Sequence, residues 1–261
     1  MEGNSVWGTD YQKNLEMARN TQDPEKLKRM VTEILQGSEL DDEDGEILEE
    51  LVRNRSVPFS DALELVQFDY NYHICVAALL QREDATPKAL EDYLYHESDD
   101  LKFVHTIIAT HRNTPQSLLL KMANSGCPST ITSAVMSGRL SESVLEGLTR
   151  NEDLNVREAI AIVSGNPMVL KQLSTDEIPE VRYAVAFNPR TELDVIEKMA
   201  TDLDCRPARL AAAKRSANPD LLRWLAESLQ TNFKADLADA LKQNENAPED
   251  VRVSAALMGP E

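Results

Sequence analysis

The sequence predicts an all-α protein, a right-handed solenoid of short helix pairs with a repeat of about 25–29 residues. Two observations lead to this fold class. Apolar residues recur with helical spacing in two short runs per repeat, and the runs are separated by Asn-Pro or related dipeptides. The composition also disfavours a β-rich domain, because only 5% of the residues are aromatic and glycine is scarce, at nine residues.

One residue in each repeat, here called the anchor, opens the second apolar run. The anchors are Pro87, Pro115, Ser141, Pro167, Glu192, Pro219 and Pro248, at steps of 28, 26, 26, 25, 27 and 29 residues. The positions eleven, eight and seven residues before the anchor are wholly apolar in six of the seven repeats, as at Val181, Ala184 and Val185. The third repeat departs from this pattern with Thr130 and Ser133. The spacing predicts two helices of about ten residues per repeat, each too short to persist alone.

The Asn-Pro step predicts where each helix pair turns, for example at Asn166-Pro167 and Asn218-Pro219. Proline disfavours helical geometry in the residue before it, so we expect the step to end the first helix. Proline also suits the first turn of the second helix, where its missing N–H has no partner to lose. Each pair carries an apolar stripe that only a neighbouring pair covers, so the stack is the stable object.

The register of the repeat weakens before Pro87. We predict two helices over 11–17 and 24–35, a solvated acidic loop over 38–46, and one further pair around Leu48 and Val66. The expected domain organisation is an N-terminal helical cap with the acidic loop over 1–45, followed by a single continuous array over 46–261. The segment from Val251 fits either the last second helix or the first helix of another repeat.

The clearest copy of the repeat begins Val181-Arg-x-Ala-Val-Ala-x-Asn-Pro-x-Thr and continues with apolar residues at Val195, Met199 and Ala200. This pattern resembles the leucine-rich repeat variant family of bacterial proteins, which, like HEAT-type arrays, are solenoids of short helices without strands. The resemblance implies a protein-binding scaffold. One type of member carries an N-terminal cysteine cluster for an iron–sulfur centre, but residues 1–74 contain no cysteine, so we expect no cofactor.

The net charge of −18 is distributed unevenly. Residues 1–100 hold 9 Lys and Arg against 24 Asp and Glu, whereas residues 101–261 hold 18 against 21. The acidic half disfavours nucleic-acid binding, because phosphate contacts need cations, and it predicts a protein partner with a basic patch. No apolar stretch has the length of a membrane span. Three isolated cysteines suit a reducing compartment, so we expect a cytoplasmic protein.

Two sets of charged residues are candidates for partner binding. The acidic set lies in the predicted loop and consists of Glu39, Asp41, Asp42, Glu43, Asp44 and Glu46. A calcium loop of the EF-hand type is not expected there, since Leu40 and Leu51 would occupy its first and last ligand positions. The histidines and cysteines have no recognised ligand spacing, so we expect no metal site.

The basic set consists of Arg157, Arg182 and Arg209, each ten residues before its anchor in successive repeats. These arginines are predicted to form a ladder on one face of the stack. Because they belong to the repeat pattern itself, pairing with acidic residues of a neighbouring repeat is the favoured alternative. The candidate acidic partners are Asp153, Glu180 and Asp204.

We find no catalytic motif in the sequence: it has no Gly-rich phosphate loop, no Gly-x-Ser-x-Gly elbow and no His-Glu-x-x-His. The leading hypothesis is therefore a non-enzymatic scaffold or adaptor that presents a helical-repeat surface to another protein. One alternative is a helical-repeat enzyme, either DNA glycosylase-like at the cationic end over 157–223 or chromophore lyase-like. The other is an acidic mimic of nucleic acid.

Overall fold

The structure, a computed structural model, describes residues 10–36, 42–66, 72–94, 102–201, 205–229 and 234–257. These residues form eighteen α-helices and no strand, which confirms the predicted all-α class. None of these helices is long and apolar enough to cross a membrane. The chain divides into two compact units, Met1–Met122 and Ala123–Glu261.

The described part of the first unit consists of four helix pairs. They are α1 (Tyr11–Asn20), α2 (Pro24–Gln36), α3 (Asp42–Arg53), α4 (Phe59–Val66), α5 (Tyr72–Leu80), α6 (Pro87–Leu94), α7 (Lys102–Thr110) and α8 (Gln116–Ala123), whose last residue opens the second unit. The two helices predicted over 11–17 and 24–35 are confirmed as α1 and α2.

Five helix pairs make up the described part of the second unit. They are α9 (Pro128–Met136), α10 (Glu142–Leu148), α11 (Leu154–Val163), α12 (Pro167–Leu173), α13 (Pro179–Phe187), α14 (Leu193–Ala200), α15 (Arg206–Arg215), α16 (Pro219–Glu227), α17 (Lys234–Gln243) and α18 (Glu249–Leu257). Of the two possibilities left open for the segment from Val251, the second helix of the last pair is the one observed.

The predicted repeat and its buried face are confirmed. Each anchor is either the first residue of a second helix, as at Pro167, or the residue just before it, as at Glu192. Val181 and Val185 are fully buried, and so is Leu170, three residues after its anchor. Burying a side chain of this kind contributes about 1.5–3 kcal/mol, so the repeating buried face is a substantial source of stability for each pair.

Helices of neighbouring pairs pack in a regular order within each unit. In the second unit the first helices form one layer, with α9 against α11, α11 against α13, α13 against α15 and α15 against α17. Each second helix also packs against the first helix of the following pair, as α14 does against α15. The first unit repeats the layer of first helices with α1, α3, α5 and α7.

The residue after a first helix, here called the cap, ends that helix. In seven repeats a side-chain atom of the cap accepts a hydrogen bond from the backbone N–H two residues later. These caps are Asn54, His111, Ser137, Ser164, Asn188, Ser216 and Asn244. A side chain that binds its own backbone in this way competes with continued helix, so it fixes where the turn begins.

An asparagine cap also joins its repeat to the preceding one. The Asn188 amide donates hydrogen bonds to the carbonyl oxygens of Ala161, at 2.8 Å, and Ser164, at 2.9 Å. Asn54 and Asn244 make equivalent bonds to their own preceding repeats. These buried carbonyl oxygens lie at the ends of helices, where they lack intrahelical partners.

At two of the three serine caps, a glutamate of the preceding second helix makes the connection instead. Ser164 donates its hydroxyl to Glu142 at 2.7 Å, and Ser216 donates to Glu197 at 2.5 Å. The serine caps of α11 and α15 thus alternate with the asparagine caps of α13 and α17, and both kinds tie a repeat to its predecessor.

In the first unit, Arg82 makes the corresponding connection. Its buried guanidinium donates to the carbonyl oxygens of Val52, at 3.1 Å, and Val57, at 2.7 Å, and to both carboxylate oxygens of Asp84. The Nε2 atom of His111 lies 2.9 Å from the Arg82 carbonyl oxygen. Because a carbonyl oxygen only accepts, His111 carries its proton on Nε2.

The predicted acidic loop over 38–46 is wrong from Asp42 onwards, because α3 begins there. The positive end of the helix dipole favours acidic residues in a first turn, so this sequence is compatible with a helix start. The helix then continues into Ile47, Leu48 and Leu51, which are fully buried. Residues 38–41 lie outside the described residues.

Asn-Pro dipeptides serve in two ways, and each of them matches one part of the sequence prediction. Asn188 follows α13 and ends it, as expected. Asn166 and Asn218 instead accept hydrogen bonds as N-caps of α12 and α16, with proline at the first helical position. In those repeats the first helix has already ended two residues earlier, at the serine cap.

Candidate functional site

Three first helices of the second unit expose a large apolar side chain at the same position. Met136, Ile162 and Phe187 are each the ninth residue of their helix, in α9, α11 and α13. Their side chains are 48%, 48% and 70% exposed. In α13 the ninth residue follows buried Val185 by two positions, about 200° around the helix, so it points away from the packed face. We call these three residues the apolar column.

The column continues into a cationic end. The ninth residue of α15 is Lys214, and that of α17 is Lys242. One turn before the column, on the same side of the helices, lie Glu158, Tyr183 and Leu210, which are all partly buried. Neighbouring packed helices lie 8–10 Å apart, so the three apolar residues extend over about 20 Å.

A groove of about 370 Å³ lies at the Phe187 end of the column. The end of α13 provides one wall, with Phe187 and Pro189, and α15 provides the other. The α15 wall consists of Pro207, Leu210, Ala211, Lys214 and Arg215. Apart from the two cations, the groove is lined mainly by apolar side chains, and no acidic residue lines it.

The predicted basic set lies mainly inside the scaffold. Arg157, Arg182 and Arg209 are each the fourth residue of a first helix, and Arg157 and Arg209 are buried, each 8% exposed. The guanidinium of Arg182 donates to the carbonyl oxygens of Asp176, at 2.7 Å, and Glu177, at 3.1 Å. The arginine thus satisfies backbone carbonyls of the turn that precedes its own helix.

Arg157 also forms an ion pair with the next repeat. Its guanidinium donates to both carboxylate oxygens of Asp176, at 2.8 and 3.1 Å, and to the carbonyl oxygens of Asn151 and Glu152. Burial raises the pKa of Asp176, but the hydrogen bonds from Arg157 and from the Ile178 N–H outweigh it and hold the pKa below its usual value. The favoured alternative, pairing between repeats, therefore describes Arg157, although its partner is Asp176 rather than one of the candidates named from the sequence.

Arg209 contacts the scaffold in a different way. Its Nε atom donates to the Ala200 carbonyl oxygen at 3.2 Å, and its guanidinium carbon lies 5.3 Å from the centre of the Trp224 ring. A cation over a tryptophan face is stabilised by the ring quadrupole. Arg209 thereby joins α15 to α16, the second helix of its own pair.

The predicted acidic set is only partly described. Outside the described part lie Glu39 and Asp41, together with the side chains of Asp42, Glu43 and Asp44. Glu46 is exposed on α3 and accepts a hydrogen bond from the Tyr11 hydroxyl. Glu46 is thus the one member of this set whose side chain the structure describes, so an acidic partner surface there stays a prediction.

Cys127 is an exposed thiol at the N-terminus of α9. Its sulfur lies 3.1 Å from the Ser129 hydroxyl oxygen. Hydrogen bonds from Ser129 and Thr130 lower the pKa of this thiol to about 7, which makes the thiolate common at neutral pH. Across the described residues, no group of three or more His, Cys, Asp and Glu side chains is arranged to hold a metal ion.

Comparison with known proteins identifies the fold of this chain. A solved structure described as a leucine-rich repeat variant with a novel repetitive structural motif is 20% identical to this chain, with a TM-score of 0.60. The match covers 97% of this chain and 89% of that one. This chain has the leucine-rich repeat variant fold. The fold implied by the sequence resemblance is thereby confirmed.

The other comparisons add no functional information. A solved engineered protein is 14% identical, over 94% of this chain and 87% of that one, but its TM-score of 0.36 supports no argument. No protein-family model and no curated protein matches the chain. The likeness to the leucine-rich repeat variant concerns the fold alone and indicates no function.

Sequence reasoning missed the apolar column. Its signal was present, because Met136, Ile162 and Phe187 each stand five residues before an anchor, at Ser141, Pro167 and Glu192. A large apolar residue at that point looks like one more core position. Only the packed structure shows that the core of each first helix is already complete without it.

Proposed function

We propose that this chain is a protein-binding scaffold whose second unit presents the apolar column to another protein. The observation that carries the proposal is the exposure of Met136, Ile162 and Phe187 at one position of three successive first helices. Single exposed apolar residues are ordinary on protein surfaces, but an aligned series of them marks an interaction surface. Aromatic residues and methionine are also enriched where proteins meet.

The dimensions of the column suit an elongated partner element. A length of about 20 Å corresponds to a helix of about thirteen residues at 1.5 Å per residue. Phe187, with 70% of its side chain exposed, is the natural anchor, because buried aromatic residues supply a large share of interface energy.

The proposed activity is binding and not catalysis. The thioether, aliphatic and phenyl side chains of the column provide neither a nucleophile nor a group that transfers protons.

A basic partner for the acidic set around Glu46 is a separate proposal that rests on charge alone. The enzyme and nucleic-acid mimic alternatives gain no specific support from the described residues.

The experiment is affinity capture from a lysate of the source cells, with the natural chain and a triple variant as baits. The variant combines Met136→Ser, Ile162→Ser and Phe187→Ser. Because all three residues are exposed, the substitutions should leave the fold intact. We expect the triple variant to recover its specific protein partner at a level reduced by about tenfold or more.

Met168→Ser is the matched control. Met168 is 69% exposed, but it lies on the second helix α12 and outside the column. The control bait should recover the same partner as the natural chain. Equal recovery by the triple variant, with its helical circular dichroism unchanged, would contradict the proposal.

A further inference from the structure

The groove beside Phe187 combines apolar walls with positive charge only. Phe187 and Leu210 offer apolar surface on opposite walls, and Lys214 and Arg215 lie at the last turn of α15. The chain as a whole has 45 acidic residues against 27 basic ones. A groove without an acidic residue is therefore a local departure from the charge of the chain.

The two cations differ in how they are held. The Arg215 guanidinium donates to the carbonyl oxygen of Thr191 at 3.0 Å, which fixes its charge near the end of α13. Lys214 is exposed and has no ion-pair partner among the residues that the structure describes. The charge of Arg215 is thus held in place, whereas Lys214 can pair with a charged ligand. This arrangement favours a ligand that has carboxylates next to an apolar group.

From this geometry we infer that the groove binds a short acidic segment of a partner protein. One large apolar side chain of that segment contacts Phe187 and Leu210, and neighbouring carboxylates pair with Lys214 and Arg215. The inference rests on the proposed function, because it names the kind of partner that the same face takes. A volume of about 370 Å³ is near the lower end of ligand pockets, so the groove holds a few side chains and not a whole domain.

A single-stranded nucleic acid is the other polymer that combines flat apolar groups with negative charge. It fits less well, because each further nucleotide adds a phosphate, whereas this chain has a net charge of −18. A short peptide places one or two carboxylates at the cations and no charge elsewhere. Because the favourable positive charge is confined to Lys214 and Arg215 of this groove, an acidic peptide fits better than a single-stranded nucleic acid.

The test uses the full chain as the target for a displayed library of random peptides. Selected peptides are measured against the natural chain, the groove variant Phe187→Ser with Leu210→Ser, and the charge variant Lys214→Glu with Arg215→Glu. The matched charge control is Lys171→Glu with Lys198→Glu, which changes two exposed lysines on the second helices α12 and α14. A single-stranded DNA oligonucleotide serves as the competing probe.

We expect the selected peptides to share one large apolar residue flanked by Asp or Glu. Their affinity should fall about tenfold or more for the groove variant and for the charge variant, and should be unchanged for the charge control. Replacing the acidic residues of a selected peptide with lysine should restore its binding to the charge variant.

Other outcomes overturn the inference in distinguishable ways. The acidic segment would be excluded as the ligand if the selected peptides lack acidic residues. It would also be excluded if they bind the charge variant as tightly as the natural chain. Displacement of the peptide by the oligonucleotide, with tighter oligonucleotide binding, would assign the groove to nucleic acid. Failure to enrich any peptide would overturn the groove inference, and the capture experiment with the triple variant would still decide the proposed function.

Discussion

Arg157 shows how a single charged residue can belong to the interior of a repeat. Its guanidinium satisfies two carbonyl oxygens of the preceding turn and both oxygens of Asp176. Asp176 in turn accepts a hydrogen bond from the backbone N–H of Ile178, the N-cap residue just before α13. The ion pair is therefore a hydrogen-bonded junction between repeats, and removing one partner leaves a buried charge without compensation.

Asp176→Asn tests this junction. The side chains of Arg157 and Asp176 are 10% and 8% exposed, so we expect the free energy of unfolding to fall by about 3 kcal/mol. Urea denaturation followed by circular dichroism measures the change. Asp250→Asn is the matched control, because Asp250 pairs with Arg223 where both side chains are exposed, and its loss should change little.

The effect of Asp176 should depend on pH in a defined direction. Its pKa is lower in the folded chain than in the unfolded one, so the folded state favours the carboxylate. The stabilisation is thus fully present above the ordinary aspartate pKa of about 3.9 and is lost as pH falls through the lower, folded value. The natural chain and Asp176→Asn should converge in stability in that acidic range, and a constant difference down to the lowest pH would contradict the assignment.

At the scale of elements, apolar spacing predicted the helices well, and the turns less well. Burial of Val181 and Val185 follows directly from the repeat, because a short helix has one face to cover. The roles of the polar residues do not follow from spacing. Asn166 and Asn188 both precede proline, yet the first caps a second helix and the other ends a first helix. Arg82 joins neighbouring repeats as an asparagine does elsewhere in the chain. Its buried hydrogen bonds to backbone carbonyl oxygens show this role, and its position in the sequence does not.

Asn188→Ala tests the connection between pairs. The substitution leaves the carbonyl oxygens of Ala161 and Ser164 without their donor, and it also removes the acceptor for the Arg190 N–H. Because the amide is buried, we expect a loss of about 3 kcal/mol in the free energy of unfolding.

Asn166→Ala is the control for Asn188→Ala. Asn166 accepts one hydrogen bond, from the Met168 N–H, as the N-cap of α12, and such a cap contributes about 1 kcal/mol. Urea denaturation of both variants compares the two uses of the same dipeptide. An equal effect of the two substitutions would contradict a special role for the asparagine cap in joining repeats.

At the scale of the whole molecule, charge and apolar exposure are distributed in different ways. Residues 1–122 hold 12 Lys and Arg against 24 Asp and Glu, a net charge of −12, whereas residues 123–261 hold 15 against 21, a net of −6. The apolar column and its groove belong to the less charged unit. A repeat fold permits this separation, because each pair depends on its neighbours for packing while its exposed positions vary independently.

The excess of acidic residues should make the chain more stable at moderate salt. Added NaCl shortens the Debye length from about 30 Å at 0.01 M to about 10 Å at 0.1 M, so it screens long-range repulsion more than it weakens contact ion pairs. We expect the midpoint of thermal unfolding, followed by circular dichroism, to rise over this range. Chloride is used instead of sulfate, because sulfate is excluded from the protein surface and so strengthens apolar burial independently of charge screening.

Glu64→Lys locates the repulsion in the first unit. Glu64 is exposed on α4, one turn after Asp61, so the substitution replaces a like-charge pair with an opposite-charge pair. The variant should unfold at a higher temperature than the natural chain at low salt, and Glu64→Gln should fall between them. The differences should shrink as NaCl screens the charges.

A thermal midpoint of the natural chain that falls steadily with NaCl would contradict the salt prediction. It would mean that ion pairs such as Arg19–Glu50 outweigh the repulsion among the acidic residues.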